Sequence, residues 1–290
     1  MPTFDTPEPV HVSLDLAAGD ITIIASDRAD TVVEIAPSDP ASEADVRAAA
    51  QTRVDYAGGQ LVIKGPRGWR HYSFRGPGES VDVRVELPGG SQLQGEAGLA
   101  ALACTGPLGE VSFRTGAGDI SLAEAGPVQL RTGAGDVFVD RATGRVEVTS
   151  GTGSIRLGAV DGTATVRNSN GTTWIGAVDG DLRVNGANGS IELGRVRAAV
   201  TARTAQGGIR VREAASGTVV AETAFGPVDV GIRAGATAWL DLHTKLGHVR
   251  SELEAADQPG SGDETVEVRA RTSFGDITVT RCDSTAKEQA

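Results

Sequence analysis

The chain has 290 residues, a formal net charge of −11 at pH 7 and only two cysteines, Cys104 and Cys282. It is long enough to bury a core without disulfides, so both cysteines are expected to be free thiols in a reducing compartment. The acidic balance argues against nucleic acid as a partner, because neutralising phosphates requires an excess of clustered cations. The 39 glycines and 4% aromatic residues are typical of a β-solenoid and not of a helical bundle.

The N-terminal region, residues 1–90, is predicted to be a β-rich cap that contains one helix. Residues 12–23 carry one copy of the coil pattern that recurs later in the chain. Strands are expected at 31–35, 60–64 and 81–87, and the helix at about 40–54, with Ser42 as its N-cap. A solenoid needs its first coil covered, and this region would cover it. The first residues lack the basic and apolar parts of a signal peptide, and no stretch resembles a membrane span, so the sequence predicts a cytoplasmic protein without membrane insertion.

Residues 91–282 contain a glycine about every 18 residues. These glycines are Gly118, Gly135, Gly153, Gly171, Gly189, Gly207, Gly226, Gly247 and Gly275. Around each glycine, the positions two and four residues later and those seven and five residues earlier are mostly apolar, as Ile191, Leu193, Leu182 and Val184 are around Gly189. Alternation with a period of two predicts two strands per coil, each with one buried face.

Each coil can bury its apolar residues only against the coils before and after it. The sequence therefore predicts an all-β fold, one continuous parallel β-solenoid (β-helix) of about 18-residue coils with two pseudo-equivalent halves of about nine residues. The late coils are longer because residues 255–264, rich in proline, glycine and aspartate, are expected to loop out from the stack. Residues 283–290 are expected to be a disordered tail.

A short motif links the chain to a family. Gly-Asp followed by isoleucine or valine recurs at residues 19–21, 118–120, 135–137 and 275–277, and Glu86-Leu87-Pro88 precedes the coils. In these features the chain resembles bacterial β-strand-repeat proteins of unknown function that are provisionally called adhesins. The resemblance implies a β-solenoid without assigned catalysis or cofactor, and it supplies no functional residues. The adhesin label implies exposure at the cell surface. The sequence departs from this expectation because it shows no export signal.

One candidate interaction surface is the outward lane three residues after each glycine. Its aromatic and basic members are Phe138, Arg156, Trp174 and Arg210. Aromatic rings interleaved with arginines on a flat sheet can stack on sugar rings or bases. The alternative is a cross-strand ladder that only stabilises an exposed sheet face.

A second candidate surface is a cationic aromatic cluster between two Gly-Pro pairs. Its members are Arg67, Trp69, Arg70, His71, Tyr72, Phe74 and Arg75. Tryptophan, tyrosine and arginine dominate binding hot spots, which favours an interaction surface. The alternative is a cap loop folded over the open end of the solenoid.

Two further patterns are interpreted as structural. A column of small polar residues three positions before the glycines is expected to satisfy backbone groups of the turns. It comprises Thr115, Thr132, Ser150, Asn168, Thr204, Thr223, Thr244 and Thr272. Asp119 and Asp136 would lie one coil apart, as paired catalytic carboxylates or calcium ligands do, but turn capping is the better explanation because no third acidic residue follows them. The four histidines have no metal-ligand spacing.

The leading functional hypothesis is a non-enzymatic cytosolic binding or scaffold protein without a cofactor, with a protein or a glycan as partner. One alternative is self-assembly through unpaired strand edges into a homo-oligomer or filament. A weaker alternative is a polysaccharide-active enzyme, supported only by analogy with other β-helices. Such an enzyme would need three or more converging acidic or basic groups.

Overall fold

The computed structural model describes residues 2–66, 79–253 and 265–282, and in this part of the chain it contains 25 strands and one helix. The predicted all-β fold is confirmed. Two compact units are present: the first comprises Met1–Thr143 and Glu147–Thr152, and the second Gly144–Val146 and Gly153–Ala290.

The first twelve strands lie almost entirely in the first unit. They are β1 (Thr3–Asp5), β2 (His11–Ser26), β3 (Asp30–Pro37), β4 (Arg53–Ala57), β5 (Gln60–Lys64), β6 (Val81–Pro88), β7 (Gln92–Leu108), β8 (Val111–Ala117), β9 (Ile120–Ala125), β10 (Val128–Ala134), β11 (Val137–Thr143) and β12 (Val146–Thr152). The helix is α1 (Glu43–Gln51).

The remaining strands belong to the second unit. They are β13 (Ile155–Asp161), β14 (Ala164–Asn170), β15 (Thr173–Val178), β16 (Leu182–Asn188), β17 (Ile191–Val196), β18 (Val200–Gln206), β19 (Ile209–Ala214), β20 (Gly217–Phe225), β21 (Val228–Arg233), β22 (Thr237–Leu246), β23 (Val249–Ser251), β24 (Thr265–Phe274) and β25 (Ile277–Cys282).

In the first unit, parallel strands form two sheets that face each other. The first sheet pairs β5 with β2, β2 with β7, β7 with β8 and β8 with β10. The second sheet pairs β6 with β2, β2 with β7, β7 with β9 and β9 with β11. The long strands β2 and β7 contribute to both sheets. Inward residues such as Leu130 and Val139 are buried, because each sheet covers the apolar face of the other.

The first unit is closed at its N-terminal side by antiparallel strands. β3 pairs with β6, β1 pairs with β3, and β4 pairs with β5. Between β4 and β5, Gly58 and Gly59 both have positive φ, as a tight two-residue hairpin turn requires. β2 pairs with β7 in both sheets, so residues 11–26 already adopt the geometry of a coil. The boundary between cap and solenoid predicted at residue 90 stays a prediction.

The helix is shorter than the sequence predicted. Ser42 is its N-cap, as expected, and accepts a hydrogen bond from the Asp45 backbone N–H. The helix ends at Gln51 and not near residue 54, because Val54 belongs to β4. The predicted helix end was therefore wrong. The alternation of Val54 and Tyr56 on β4 suits a strand, and the Tyr56 ring packs on Phe4 with the ring centroids 5.1 Å apart.

The second unit repeats the two-sheet geometry. β14, β16, β18 and β20 pair in sequence in one sheet, and β13, β15, β17, β19 and β21 in the other. In the first unit, Gly135 shows why a glycine recurs in each turn. Its φ is +142°, and a Cβ atom there would lie 2.2 Å from the carbonyl oxygen of Gly118 in the neighbouring coil. The predicted close backbone approach is thus observed.

The last coils of the second unit do not stack in sequence order. β24 pairs with β20 on one side and with β22 on the other, and β25 lies in the same way between β21 and β23. The expectation that each coil lies between its neighbours in sequence is wrong here. The β24–β25 coil has a complete apolar set, with Val268, Ala270, Ile277 and Val279 fully buried, whereas β22–β23 is more polar and is the outer coil.

Candidate functional site

The four described residues of the interaction surface proposed from the sequence fall in two different units. The cluster Arg67, Trp69, Arg70, His71, Tyr72, Phe74 and Arg75 lies outside the described residues, as do residues 255–264 and 283–290. Phe138 lies in the first unit, on β11, opposite Ser121 of β9 and 39% exposed. Arg156, Trp174 and Arg210 lie in the second unit.

The outward lane of the second unit is largely satisfied by its own side chains. Arg156 lies opposite Trp174, Trp174 opposite Glu192, and Glu192 opposite Arg210. Trp174 is half-buried, and a Cβ atom on Gly176 would lie 2.9 Å from its ring, so the indole lies against the glycine backbone. Arg210 forms an ion pair with Asp229 at 3.1 Å. These contacts favour the structural interpretation of this lane.

The small polar column forms a hydrogen-bonded ladder along the stack. In the first unit, Thr132 Oγ1 donates to the carbonyl oxygen of Gly118 at 3.2 Å. In the second unit, Thr223 Oγ1 donates to Gly207 and Thr272 Oγ1 to Gly226, at 2.9 and 3.0 Å. These three hydroxyls satisfy carbonyl groups of the adjacent turn, as the structural interpretation required, whereas the buried Ser150 hydroxyl of the same column has no partner among the described residues.

Asp119 and Asp136 have a capping geometry. The Asp119 carboxylate accepts a hydrogen bond from the backbone N–H of Asp136 at 2.8 Å. In the second unit Asp276 accepts the corresponding bond from His248 N–H at 2.8 Å, which lowers the pKa of the Asp276 carboxyl. The aspartate after the glycine therefore caps the next coil. In the described part of the chain, no group of three or more His, Cys, Asp or Glu residues has metal-binding geometry.

The outward face of the first sheet in the first unit forms a different kind of surface, which we call the polar face. Its side chains come from β5, β2, β7, β8 and β10 and from the turn before β8. They are His11, Ser13, Asp15, Gln60, Lys64, Gln92, Gln94, Glu96, Glu110, Ser112, Arg114, Gln129 and Arg131. Thirteen neighbouring polar side chains on one sheet face make this surface suited to hydrogen bonding.

The polar face is concave. Two overlapping grooves of about 460 and 610 Å³ run across it and share Ser13, Gln94, Ser112 and Gln129. These four residues are register partners on successive strands, so they form a continuous row of hydroxyl and amide groups. Neighbouring strands are about 4.8 Å apart, and the row therefore presents a donor or an acceptor at each such step.

A row of charges runs beside the amide row. Lys64 lies opposite Asp15, Asp15 opposite Glu96, Glu96 opposite Arg114, and Arg114 opposite Arg131. Two of these four neighbour relationships join like charges, which destabilise a sheet when directly opposite. No ion pair joins any of these five side chains to another described residue. The oppositely charged partners of the second unit do pair, as Arg203 and Glu222 do at 2.7 Å.

Asp15 is the most unusual member of the charged row. It is half-buried, and its Oδ1 atom is enclosed without a hydrogen-bond partner among the described residues. A buried polar atom without a partner costs about 1–3 kcal/mol, so sites of this kind tend to be retained for a function. The backbone of Gly95 forms part of the groove floor beside Asp15. A side chain at Gly95 would be crowded, because its Cβ atom would lie 3.0 Å from the Phe113 ring.

The sequence reasoning missed the polar face. Its residues come from five strands, and three of these strands, at 11–26, 60–64 and 92–108, lie wholly or partly outside the glycine-based repeat. Four glutamines, at positions 60, 92, 94 and 129, are the signal that could have identified it, because each of them directly precedes or follows an inward apolar residue.

A family model described as Toastrack DUF4097 matches residues 10–280. The chain belongs to this family. The resemblance to a β-repeat family of unknown function, inferred from the sequence, is confirmed. No curated protein matches the chain.

Solved structures similar to this Toastrack chain cover almost all of it. One, from Parabacteroides distasonis, is provisionally described as a lipid binding protein, with 12% identity, 97% and 96% coverage and a TM-score of 0.48. Another, from Parabacteroides merdae, is provisionally described as an adhesin, with 10% identity, 97% and 95% coverage and a TM-score of 0.45. A Clostridium sporogenes protein, provisionally described as a cell adhesion protein, has 12% identity, 97% and 98% coverage and a TM-score of 0.25. Similarity at this level does not bear on what the Toastrack chain binds.

In the described part of the chain, no helix is long and apolar enough to cross a membrane. Cys104 is a free thiol, as predicted, and burial raises its pKa. Cys104 therefore behaves as a small apolar core residue.

Proposed function

We propose that this protein is a non-catalytic glycan-binding protein and that the polar face is its binding site. The observation that carries the proposal is the charged row at the edge of the groove, whose five side chains make no ion pairs with described residues. Such groups are available to a ligand, whereas the lanes of the second unit are engaged with one another. A rigid two-sheet scaffold holds the row in place at little entropic cost.

Glycan is favoured over protein as the ligand by the chemistry of the groove. Sugar hydroxyls both donate and accept hydrogen bonds, and the polar face offers amides, hydroxyls, carboxylates and cations side by side. Protein interfaces instead have an apolar core with tryptophan, tyrosine and arginine anchors. None of the exposed large hydrophobic side chains in the described residues lies on the polar face.

The non-catalytic part of the proposal is supported by the capping bond that engages Asp119. The acidic groups of the polar face, Asp15, Glu96 and Glu110, are contributed by β2, β7 and the turn before β8, and amides and cations that suit binding line the same grooves. The cytosolic location predicted from the sequence stays a prediction, supported by the free thiol of Cys104. Glycan binding does not depend on the compartment.

The proposal is tested by calorimetric titration of the full chain with a neutral glucan, a xylan and a uronic-acid polymer. We expect at least one polysaccharide to bind, and the double variant Gln94→Ala, Gln129→Ala to weaken binding about tenfold. This factor follows from losing two neutral hydrogen bonds of about 0.5–1.5 kcal/mol each. The matched control is Asn185→Ala, an outward amide on the sheet of the second unit, and it should bind like the wild type.

Two outcomes would contradict glycan binding at this face. One is that none of the three polymers binds. The other is that Asn185→Ala weakens binding as much as the double variant does, since the site would then not be the polar face.

A further inference from the structure

The outer coil of the second unit has an open strand edge. β22 pairs with β24 along one side, and no other described strand pairs with its opposite side. The coil also exposes large apolar side chains: Trp239 is 72% exposed, Leu246 63% and Val249 45%. A ten-residue edge strand with exposed apolar groups is a ready template for pairing with another chain.

The inward face of β22 is only partly covered. Leu240 and Leu242 are half-buried, whereas their register partners on β24, Val268 and Ala270, are fully buried. β22 covers Val268 and Ala270 of β24 on one side. A further strand on the open side of β22 would cover Leu240 and Leu242 in the same way. The missing partner is therefore a strand with an apolar inward face.

The outward face of β22 carries complementary groups in a symmetric order. Its residues are Trp239, Asp241, His243 and Lys245. When a strand pairs antiparallel with a copy of itself, directly opposite residues share a face, so the two-fold axis must pass through one residue. An axis through Asp241 or His243 brings identical ionisable groups face to face.

An axis through Leu242 gives a favourable set of pairs. Asp241 then lies opposite His243 of the second copy, and Trp239 lies opposite Lys245, where a cation can contact the indole face. Leu242 meets its own copy on the inward side. We propose that β22 pairs antiparallel with β22 of a second copy of this chain, centred on Leu242, to form a closed homodimer.

Closure follows from the symmetry. An isologous contact uses the same edge in both copies, so the edge is consumed when two chains have paired. This differs from the filament considered from the sequence, which requires a head-to-tail contact between two different surfaces. The proposal is independent of glycan binding at the polar face.

The first test is the mass of the full chain by light scattering over a wide concentration range. We expect a mass that rises from the 29.7 kDa of one chain to twice that value and stops there. The variant Asp241→Lys should raise the dissociation constant at least tenfold, because a lysine then faces His243. Asp241 also forms a 3.5 Å ion pair with Arg271 of its own chain, so Arg271→Gln, which removes only that pair, is the control and should leave the dissociation constant within about twofold. A mass of one chain at all concentrations, or a series that grows beyond two chains, would overturn the proposal.

The second test fixes the register by cross-linking. In a Cys282→Ser background, which leaves the buried Cys104 as the other thiol, Asp241→Cys and His243→Cys are prepared separately. A mixture of the two variants should form a disulfide-linked dimer under mild oxidation, whereas neither variant alone should do so. The control is Arg183→Cys, an exposed position on a strand that is paired on both sides. Cross-linking of Asp241→Cys alone would overturn the axis through Leu242.

Discussion

The rings of Phe225 and Phe274 are stacked, with centroids 4.8 Å apart and planes 3° apart. They are register partners on β20 and β24, although the whole β22–β23 coil lies between them in the chain. The hydroxyl of Thr244 on β22 donates to the carbonyl oxygen of Gly275, beside β24, at 2.9 Å. Both contacts place the last coil in sequence inside the stack and the preceding coil outside it.

The stacking order can be tested with a double-mutant cycle on Phe225→Ala and Phe274→Ala. Aromatic pairs contribute about 0.5–1.5 kcal/mol beyond the area that they bury, so a coupling free energy in this range is expected in urea unfolding. The control cycle combines Phe225→Ala with Leu246→Ala, two residues that do not face each other in this order. If the coils stacked in sequence order, the control pair would couple and the phenylalanine pair would not.

The threonine ladder predicts a specific cost for losing one hydroxyl. Thr132→Val keeps the shape of the side chain but leaves the Gly118 carbonyl without its donor, so the free energy of unfolding should fall by about 1–2 kcal/mol. The measurement is chemical denaturation beside Thr201→Val, which alters an outward threonine on a strand. If both variants lowered the free energy of unfolding equally, the hydrogen bonds of the threonine ladder would not contribute specifically to stability.

Two glycines allow the cost of backbone strain to be measured separately from the cost of a clash with the neighbouring coil. Both Gly135 and Gly235 have positive φ, but a Cβ atom would clash with a carbonyl oxygen only at Gly135, since nothing lies within 4 Å at Gly235. Gly235→Ala should cost about 1–2 kcal/mol from φ alone. Gly135→Ala should cost more, about 4 kcal/mol or above. Thermal unfolding of both variants compares them, and similar losses would contradict the close approach.

The cap of the first unit should contribute a pH-dependent part of stability. The Arg28 guanidinium binds Asp30 at 2.9 Å and also binds Glu86, and these hydrogen bonds lower the pKa of both carboxyls. A carboxyl with a lowered folded-state pKa stabilises the fold above its unfolded pKa of about 4, and this contribution is lost as the pH falls through the folded value.

The substitution Arg28→Gln should therefore reduce stability at pH 7, and its effect should shrink as the pH falls toward 2 through the lowered pKa values of Asp30 and Glu86. Urea unfolding over this pH range measures the difference from wild type, with Arg47→Gln on the helix surface as the control. A difference that stays constant down to pH 2 would show that Arg28 acts through packing alone.

Substitution of Asp15 should change protein stability and polysaccharide binding in opposite directions. Replacing its half-buried carboxylate by an amide in Asp15→Asn removes a charge whose Oδ1 atom lacks a described partner and which faces Glu96. The variant should be more stable by up to about 1 kcal/mol and should bind the polysaccharide more weakly. A loss of stability would mean that the carboxylate is already satisfied within the protein.

Much of the fold could be predicted from the sequence because its main signal is local. The glycine period and the alternation around it locate strands such as Ile191–Val196, since the close approach of turns permits no side chain. The helix end was missed because β4 is short and is defined by its pairing with β5. The order of the last coils was missed because a parallel coil can pair with either neighbour, and the residues between Gly247 and Gly275 do not specify which.

The candidate site was less accessible to sequence reasoning. The polar face exists only once Gln60, Ser13, Gln94 and Gln129 are placed on adjacent strands, and this register joins residues from distant parts of the chain. The aromatic residues drew attention instead, yet Trp174 lies against Gly176 within its own unit. Residue type alone singled out the aromatic and arginine side chains that are common in binding hot spots. Their contacts in the folded protein decide which of these side chains are available to a ligand.

The most direct test of the glycan-binding account is hydrogen exchange of the full chain with and without the polysaccharide that binds in the titration. Binding at the polar face should slow exchange on β2, β5, β7, β8 and β10 and leave β14, β16 and β18 unchanged. Protection confined to strands of the second unit, or spread evenly over both units, would contradict the assignment of the polar face as the binding site.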